Sequence, residues 1–225
     1  MANILCIETS GNFCTVALLK NNQTNSLQDE KVFAHAEVLA SLIQALMEQT
    51  QTAFSELNAI AVSEGPGSYT GLRIGVSTAK GLCVSLNIPL IAISSLLILA
   101  KATKSSIDSD FYWAMIDARR MEVYQGLFDK ELNLVNDITP MILTEDNFQI
   151  KELIQSKNIV LCGDGASKAS EILKLKNCSA VIHAKFMTAI AEKKFIENDF
   201  VDLASYEPFY LKSANITIAK KKALG

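Results

Sequence analysis

The sequence predicts an α/β protein built as two lobes of mixed sheet with flanking helices. Three observations carry that prediction. Short apolar runs of strand length alternate along the chain with longer segments whose apolar residues recur every three or four positions. Each half opens on two strand-like runs joined by a short polar turn, as a β-hairpin does. At 225 residues the chain is long for one compact unit and short for two large ones. The polar stretch Lys101–Asp110 is the natural boundary, giving a first lobe over 1–104 and a smaller second lobe over 105–225. The last segment is a candidate to pack back on the first lobe.

In the first lobe Ile4–Ile7 is a strand, Gly11-Asn12 a tight turn and Thr15–Lys20 the returning strand. The polar turn Asn21–Asn25 leads to a third strand near Leu27. Glu37–Gln49 is a helix with Val38, Leu39, Leu42, Ile43 and Leu46 inward. Ala59–Val62 is apolar and partly β-branched, the composition of a strand buried on both faces. Gly65-Pro66-Gly67 breaks it. Ser68 is placed to cap the following helix, which runs to about Leu86 before Asn87 and Pro89 stop it. Leu72, Val76, Ala79, Leu82 and Leu86 form the stripe of this helix that covers a sheet. Leu90–Ile93 is a further strand and Ser95–Lys104 a short helix.

The second lobe repeats this logic without repeating residues. Phe111–Asp117 and Met121–Phe128 form a hairpin turning at Ala118-Arg119-Arg120. Thr144 can cap a helix beginning at Glu145. Ile159–Cys162 is a strand, Ser167–Lys176 a helix, Val181-Ile182 a strand and Phe186–Glu197 a helix.

Beside the sheet-covering stripe of the glycine-rich helix, Gly71, Gly75 and Thr78 form a second stripe with almost no side chain. Two glycines inside one helix cost about 1 kcal/mol each relative to alanine, so something approaches closely there. Either a neighbouring element of the same chain or a partner helix satisfies that requirement. The turn Gly65-Pro66-Gly67 feeding a helix N-terminus also invites a phosphate reading. Its spacing fits neither standard loop, because Gly71 falls one residue too far for the dinucleotide fingerprint and no Lys-Ser or Lys-Thr follows it.

About half the residues are apolar and a fifth charged, which supports a substantial core. No apolar window is long enough to span a bilayer, and no basic segment or secretory core precedes the first strand, so a cytoplasmic location and no membrane partner are expected. Five cysteines lie scattered or inside apolar runs, with no C-x-x-C pair. They fit small core hydrophobes in a reducing compartment. The formal charge of -3 argues against gripping nucleic acid alone. The basic tail Ala219–Lys222 fits a solvated end.

The run Ser63-Glu-Gly-Pro-Gly-Ser-Tyr-Thr-Gly-Leu-Arg-Ile-Gly-Val-Ser-Thr-Ala-Lys-Gly81 resembles the signature of the TsaB (YeaZ) family, which takes part in making threonylcarbamoyladenosine in tRNA. Ile4–Ser10, Ile116–Tyr124 and Glu207–Leu211 agree with it, so the likeness spans nearly the whole chain. It implies the actin-like, hexokinase-like (ASKHA) fold, whose order of hairpin, third strand, helix, strand, helix, strand is that of the first lobe. It further implies a non-catalytic subunit that supports the catalytic subunit TsaD, with the ATPase TsaE and tRNA joining only in the complex. No cofactor is expected in this chain; ATP and metal belong to the partner subunits. TsaD carries a His-x-x-x-His metal pair, which falls here at Ser95 and Leu99, and neither is a ligand for a catalytic divalent metal.

The partner interface is expected on the first two helices, around Leu39, Leu42, Gly71, Gly75 and Thr78, with Gly75→Arg abolishing the complex and sparing the monomer. An isolated subunit could cover this face as a homodimer. Glu8 and Ser10, at the first turn, sit where actin-like kinases keep groups for metal and phosphate, and Gly163 and Gly165 could hold the other side of a nucleotide. Together they are a candidate vestigial cleft. The alternatives are an actin-like small-molecule kinase or ATPase using these residues, and a glycoprotease-like peptidase. Two histidines, neither in H-E-x-x-H, speak against the latter. The family's Asp-Ala-Arg-x-x-x-Val-Tyr motif matches Asp117–Tyr124, departing at Met121. Arg119 and Arg120 are therefore of uncertain role, with Asp117 placed to pair with either. His35 fits an exposed neighbour of the first helix cap better than an interface contact, and His183 a strand end.

Overall fold

The computed structural model describes residues 2–32, 34–144 and 157–211. Among the described residues two five-stranded sheets share one topology. In the first, β1 (Ile4–Glu8), β2 (Thr15–Lys20), β3 (Gln23–Gln28), β4 (Ala59–Gly65) and β5 (Leu90–Ser94) lie in the order β3-β2-β1-β4-β5. The hairpin strands pair antiparallel, and β4 and β5 add in parallel to β1. In the second, β6 (Phe111–Asp117), β7 (Glu122–Asp129), β8 (Thr139–Ile142), β9 (Ile159–Cys162) and β10 (Asn177–Cys178) lie in the order β10-β9-β6-β7-β8. Here too a meander is antiparallel and the later strands parallel.

Helices cover both faces of the first sheet, which is why β1 and β4 are apolar without alternation. On one face α1 (His35–Gln49) and α2 (Tyr69–Leu86) close a core that includes Leu5, Ile7, Val38, Leu39, Val62 and Val76. Ser68 caps α2 by accepting from the Gly71 amide at 3.2 Å, and Asn87 ends it in the left-handed conformation at φ 54°. On the other face, Ala184, Met187 and Ala191 pack against Ile4, Cys6 and Ile93. Met187 and Ala191 flank and belong to the short α5 (Thr188–Ile196), so a segment late in the chain lies on the first lobe. In the second sheet α4 (Ala166–Leu173) covers one face, packing Ala166 and Ala169 on Trp113, Met115 and Leu161. The other face rests on α3 (Ser95–Lys104), where Leu96, Leu99 and Ala100 meet Tyr112, Ala114 and Cys162. Ile98 of the same helix belongs to the core of the first sheet. Among the described residues no helix is long and apolar enough to cross a membrane.

Four sequence expectations change. Val181-Ile182 is not a strand; the parallel partner of β9 is Asn177–Cys178. Lys174 turns left-handed at φ 57° and ends α4 at Leu173, so the chain reaches the sheet earlier than the apolar pair suggests. The last helix begins at Thr188, preceded by a single 3-10 turn at Ala184–Phe186. β8 was not expected, because Pro140 interrupts it; the strand lies at the sheet edge, where a missing amide is tolerated. The expected helix from Glu145 and the tail Ala219–Lys222 lie outside the described residues.

Candidate functional site

A cleft of about 780 Å³ opens between the two sheets. Its first wall is the turn after β1 together with the start of α2, and its second is the turn after β6 together with the residues following β9. Each sheet contributes the turn of its leading hairpin, Ser10–Phe13 from the first and Asp117–Arg119 from the second.

The first wall is built around a buried acid. Glu8, fully buried, accepts through Oε1 from the Ser10 amide at 2.6 Å and from the Ser10 hydroxyl. Ser10 Oγ in turn accepts from the hydroxyl of Ser95, at the first position of α3, at 2.9 Å. Burial pushes the Glu8 carboxyl above its usual range, while the Ser10 donors, nearby Ser63 and His35 pull the other way. Among the described residues, Ser63 lies close to the acid but makes no well-formed hydrogen bond, and Glu8 Oε2 has no partner. The acid therefore lies beneath the floor of the cleft, and Ser10 and Gly11 line it. His35 is buried, not an exposed neighbour of the helix cap: its Nε2 lies 3.1 Å from the Gly11 carbonyl, which makes Nε2 the protonated nitrogen and ties α1 to the same turn. His183 is no strand end; its Nδ1 accepts from the Lys185 amide at 3.0 Å to cap the 3-10 turn, and burial lowers its pKa to about 4.

The second wall exposes its charge. Arg119 and Arg120 form the tip of the β6–β7 turn in left-handed conformations, φ 73° and 53°. Arg119 lines the cleft, whereas Arg120 offers its carbonyl to Lys168 at 2.7 Å. Asp117 pairs with neither arginine. Its Oδ1 accepts from Lys168 Nζ and from the Arg119 amide, both at 2.6 Å, and so braces the turn. Gly163 lines the cleft with φ 102°, where an added Cβ would lie 2.2 Å from the Met115 carbonyl. Gly165 does not line it; it packs against Val123 and Ile116. The structure thus brings Ser10, Gly163 and Arg119 to one cleft and leaves Glu8 and Gly165 behind its walls.

The closing motif Glu207–Leu211 borders the same cleft. The Phe209 amide donates to the Glu64 carbonyl at 2.8 Å, and the Tyr210 ring lies 4.9 Å from that of Tyr69. Arg73 sits 4.3 Å over the Tyr69 ring and donates through Nε to the Tyr210 hydroxyl at 3.2 Å. The spacing of Tyr69 and Arg73, four residues apart on a helix, is a sequence signal that could have found this cluster.

The glycine stripe faces inward. A Cβ on Gly71 would lie 2.0 Å from the Thr9 carbonyl, and one on Gly75 2.2 Å from Thr9 Oγ1. The Thr9 hydroxyl donates to the Gly71 carbonyl at 2.8 Å. The close neighbour is thus the chain's own first turn, and Gly75→Arg would break the monomer. Leu39 is also core, at 2% exposure. Of the five expected interface residues only Leu42 and Thr78 are partly exposed. The free face lies alongside, where α1 and α2 enclose a groove of about 520 Å³ lined by Ala40, Met47, Phe54, Thr78 and Leu82. Small residues four apart, Ala36 with Ala40 and Ser77 with Gly81, are exposed beside it and are the signal that sequence reading passed over.

At Ser95 and Leu99, where the resemblance would place a metal pair, the Ser95 hydroxyl donates to Ser10 and Leu99 is 2% exposed in the core. These residues do not fit a catalytic metal. Among the described residues no three of His, Cys, Asp and Glu are grouped to hold one.

Two lobes of one topology, each led by an antiparallel meander and meeting at a cleft, define an actin-like, hexokinase-like (ASKHA) protein. Residues 30–205 match the family model described as TsaD, tRNA N6-adenosine threonylcarbamoyltransferase. The tRNA threonylcarbamoyladenosine biosynthesis protein TsaB of Buchnera aphidicola subsp. Acyrthosiphon pisum (strain APS) is 32% identical over 79% of this chain and 80% of its own length. The protein of the same name from Escherichia coli (strain K12) is 28% identical over 99% of this chain and 98% of its own. YeaZ from Pseudomonas aeruginosa superposes with a TM-score of 0.80 at 26% identity, covering 94% of this chain and 100% of that one. The chain belongs to the TsaB (YeaZ) family, related to TsaD.

Proposed function

We propose that this chain serves tRNA threonylcarbamoyladenosine biosynthesis as a non-catalytic subunit that binds the catalytic subunit TsaD through the outer face of α1 and α2. The single observation carrying this reading is the apolar groove between those helices, flanked by exposed small residues that let a partner helix approach closely. The inward-facing acid of the first turn and the Ser95 and Leu99 pair agree with a scaffold that has no catalytic metal of its own. In this reading ATP and metal act on the partner subunits, TsaE and tRNA join through the complex in the cytoplasm, and an isolated subunit covers the groove with a second copy.

The test is tRNA threonylcarbamoylation from threonine, bicarbonate and ATP, with the cognate synthase, TsaD and TsaE, with and without this chain. Modification should depend on it. Ala40→Arg, at an exposed groove position, should weaken TsaD binding by at least tenfold with an unchanged Tm. Full modification without this chain would overturn the reading, and unchanged affinity of the variant would overturn the placement. The volume of the cleft favours a second reading, a kinase or ATPase. Calorimetric binding of millimolar ATP, lost in Arg119→Ala, would support it.

A further inference from the structure

Cys162 ends β9 and Cys178 ends β10, and the two are register partners on neighbouring parallel strands. Partners in register present their side chains on the same face. Both lie in the layer under α3. Neighbouring strands run about 4.8 Å apart, inside the roughly 4.4–6.8 Å that a disulfide spans between Cα atoms. Burial raises the Cys162 thiol to about 12, and the nearby Cys178 adds to the rise. Cys178 is half-buried, so an oxidant reaches it first. The other three cysteines are buried in the first lobe. Because β10 is two residues long and lies at the sheet edge, it can adjust to a covalent bond.

We propose that Cys162 and Cys178 form a reversible, peroxide-responsive disulfide that staples β10 to β9. The Cys178 thiolate attacks hydrogen peroxide, breaking the O–O bond to give a sulfenic acid and hydroxide. The Cys162 sulfur then attacks that sulfur, the S–O bond breaks, and the oxygen leaves as water with the thiol proton. In sum, two thiols and one peroxide give a disulfide and two waters; a dithiol reductant reverses the change. The segment directly after Cys178, from Ser179 to Ile182, lines the cleft and leads to Ala184, whose amide donates to Thr15 Oγ1 of the first lobe at 2.9 Å. The staple therefore fixes one end of the link between the two sheets.

The full chain, reduced and then treated with hydrogen peroxide, is alkylated and digested with trypsin. The expected product joins the peptides Asn158–Lys168 and Asn177–Lys185, two hydrogens lighter than their sum, cleaved by dithiothreitol and absent in Cys178→Ser. Cleavage of the native protein after Lys176 should slow several-fold on oxidation, with no change in the variant. Cys178 recovered as a free thiol or sulfinic acid without the linked peptide, a link to another cysteine, or equal cleavage rates would overturn the proposal. Cys162→Ala, which keeps the half-buried thiol, supplies a second control and should stop at the sulfenic or sulfinic acid.

Discussion

The β1–β2 turn and the β6–β7 turn hold the same place in two sheets of one topology, yet they face opposite ways. The first folds its polar groups inward: Glu8 and Thr9 are fully buried, bonded to Ser10 and to α2, and His35 reaches across from α1. The second pushes its arginines outward and is braced from outside by Asp117 and Lys168. Equal topology therefore does not mean equal use. Where helices bury a turn, its polar residues become internal struts; where the neighbouring helix reaches it only through the Lys168 side chain, its arginines stay exposed and Arg119 lines the cleft.

The largest effect that would break this contrast is steric. Gly71→Ala should destabilise the protein by about 3 kcal/mol, the upper range for overpacking, because the added methyl meets the Thr9 backbone and neither side can yield cheaply. Urea unfolding measures it, and a loss below about 1 kcal/mol would mean that the first turn is not clamped. Next comes the buried acid. Its folded pKa lies above the unfolded value of about 4.3, so its contribution is complete below that pH and declines as pH rises and the unfolded state ionises first. Glu8→Gln cannot ionise, and its stability relative to the parent should rise between pH 4.5 and pH 8. Parallel curves would remove the acid from the strut network. The smallest effect belongs to the second turn. Arg119→Gly relieves a left-handed residue but frees the unfolded chain, and the two should leave a net change below about 1 kcal/mol. A larger loss would show that the arginine holds the turn.

Much of the frame was legible because it rests on local chemistry. Ser68 and Asn87 bracket α2 through a side-chain cap and a left-handed stop, and both follow from residue type. The glycine spacing showed that something comes close to α2, but not what, since Thr9 is distant in sequence and meets the helix only after the sheet forms. The burial of Glu8 was invisible for the same reason: β1 shows an acid at its end, and only the packing of α1, α2 and α3 decides that it points inward. Edge elements were hardest. β8 carries a proline and β10 has two residues, so pairing partners rather than propensity define them.

Helix α3 serves two cores at once, giving Ile98 to the first sheet and Leu96, Leu99 and Ala100 to the second. If either lobe were to melt alone, one flank of this helix would be left in water and the Ser95 contact to the first turn would go with it. The lobes are accordingly bound into one cooperative unit, and a cut between them would not yield two independent folding modules. Any shift of one lobe against the other would have to repack α3, whose Ser95 also holds the first turn at the cleft.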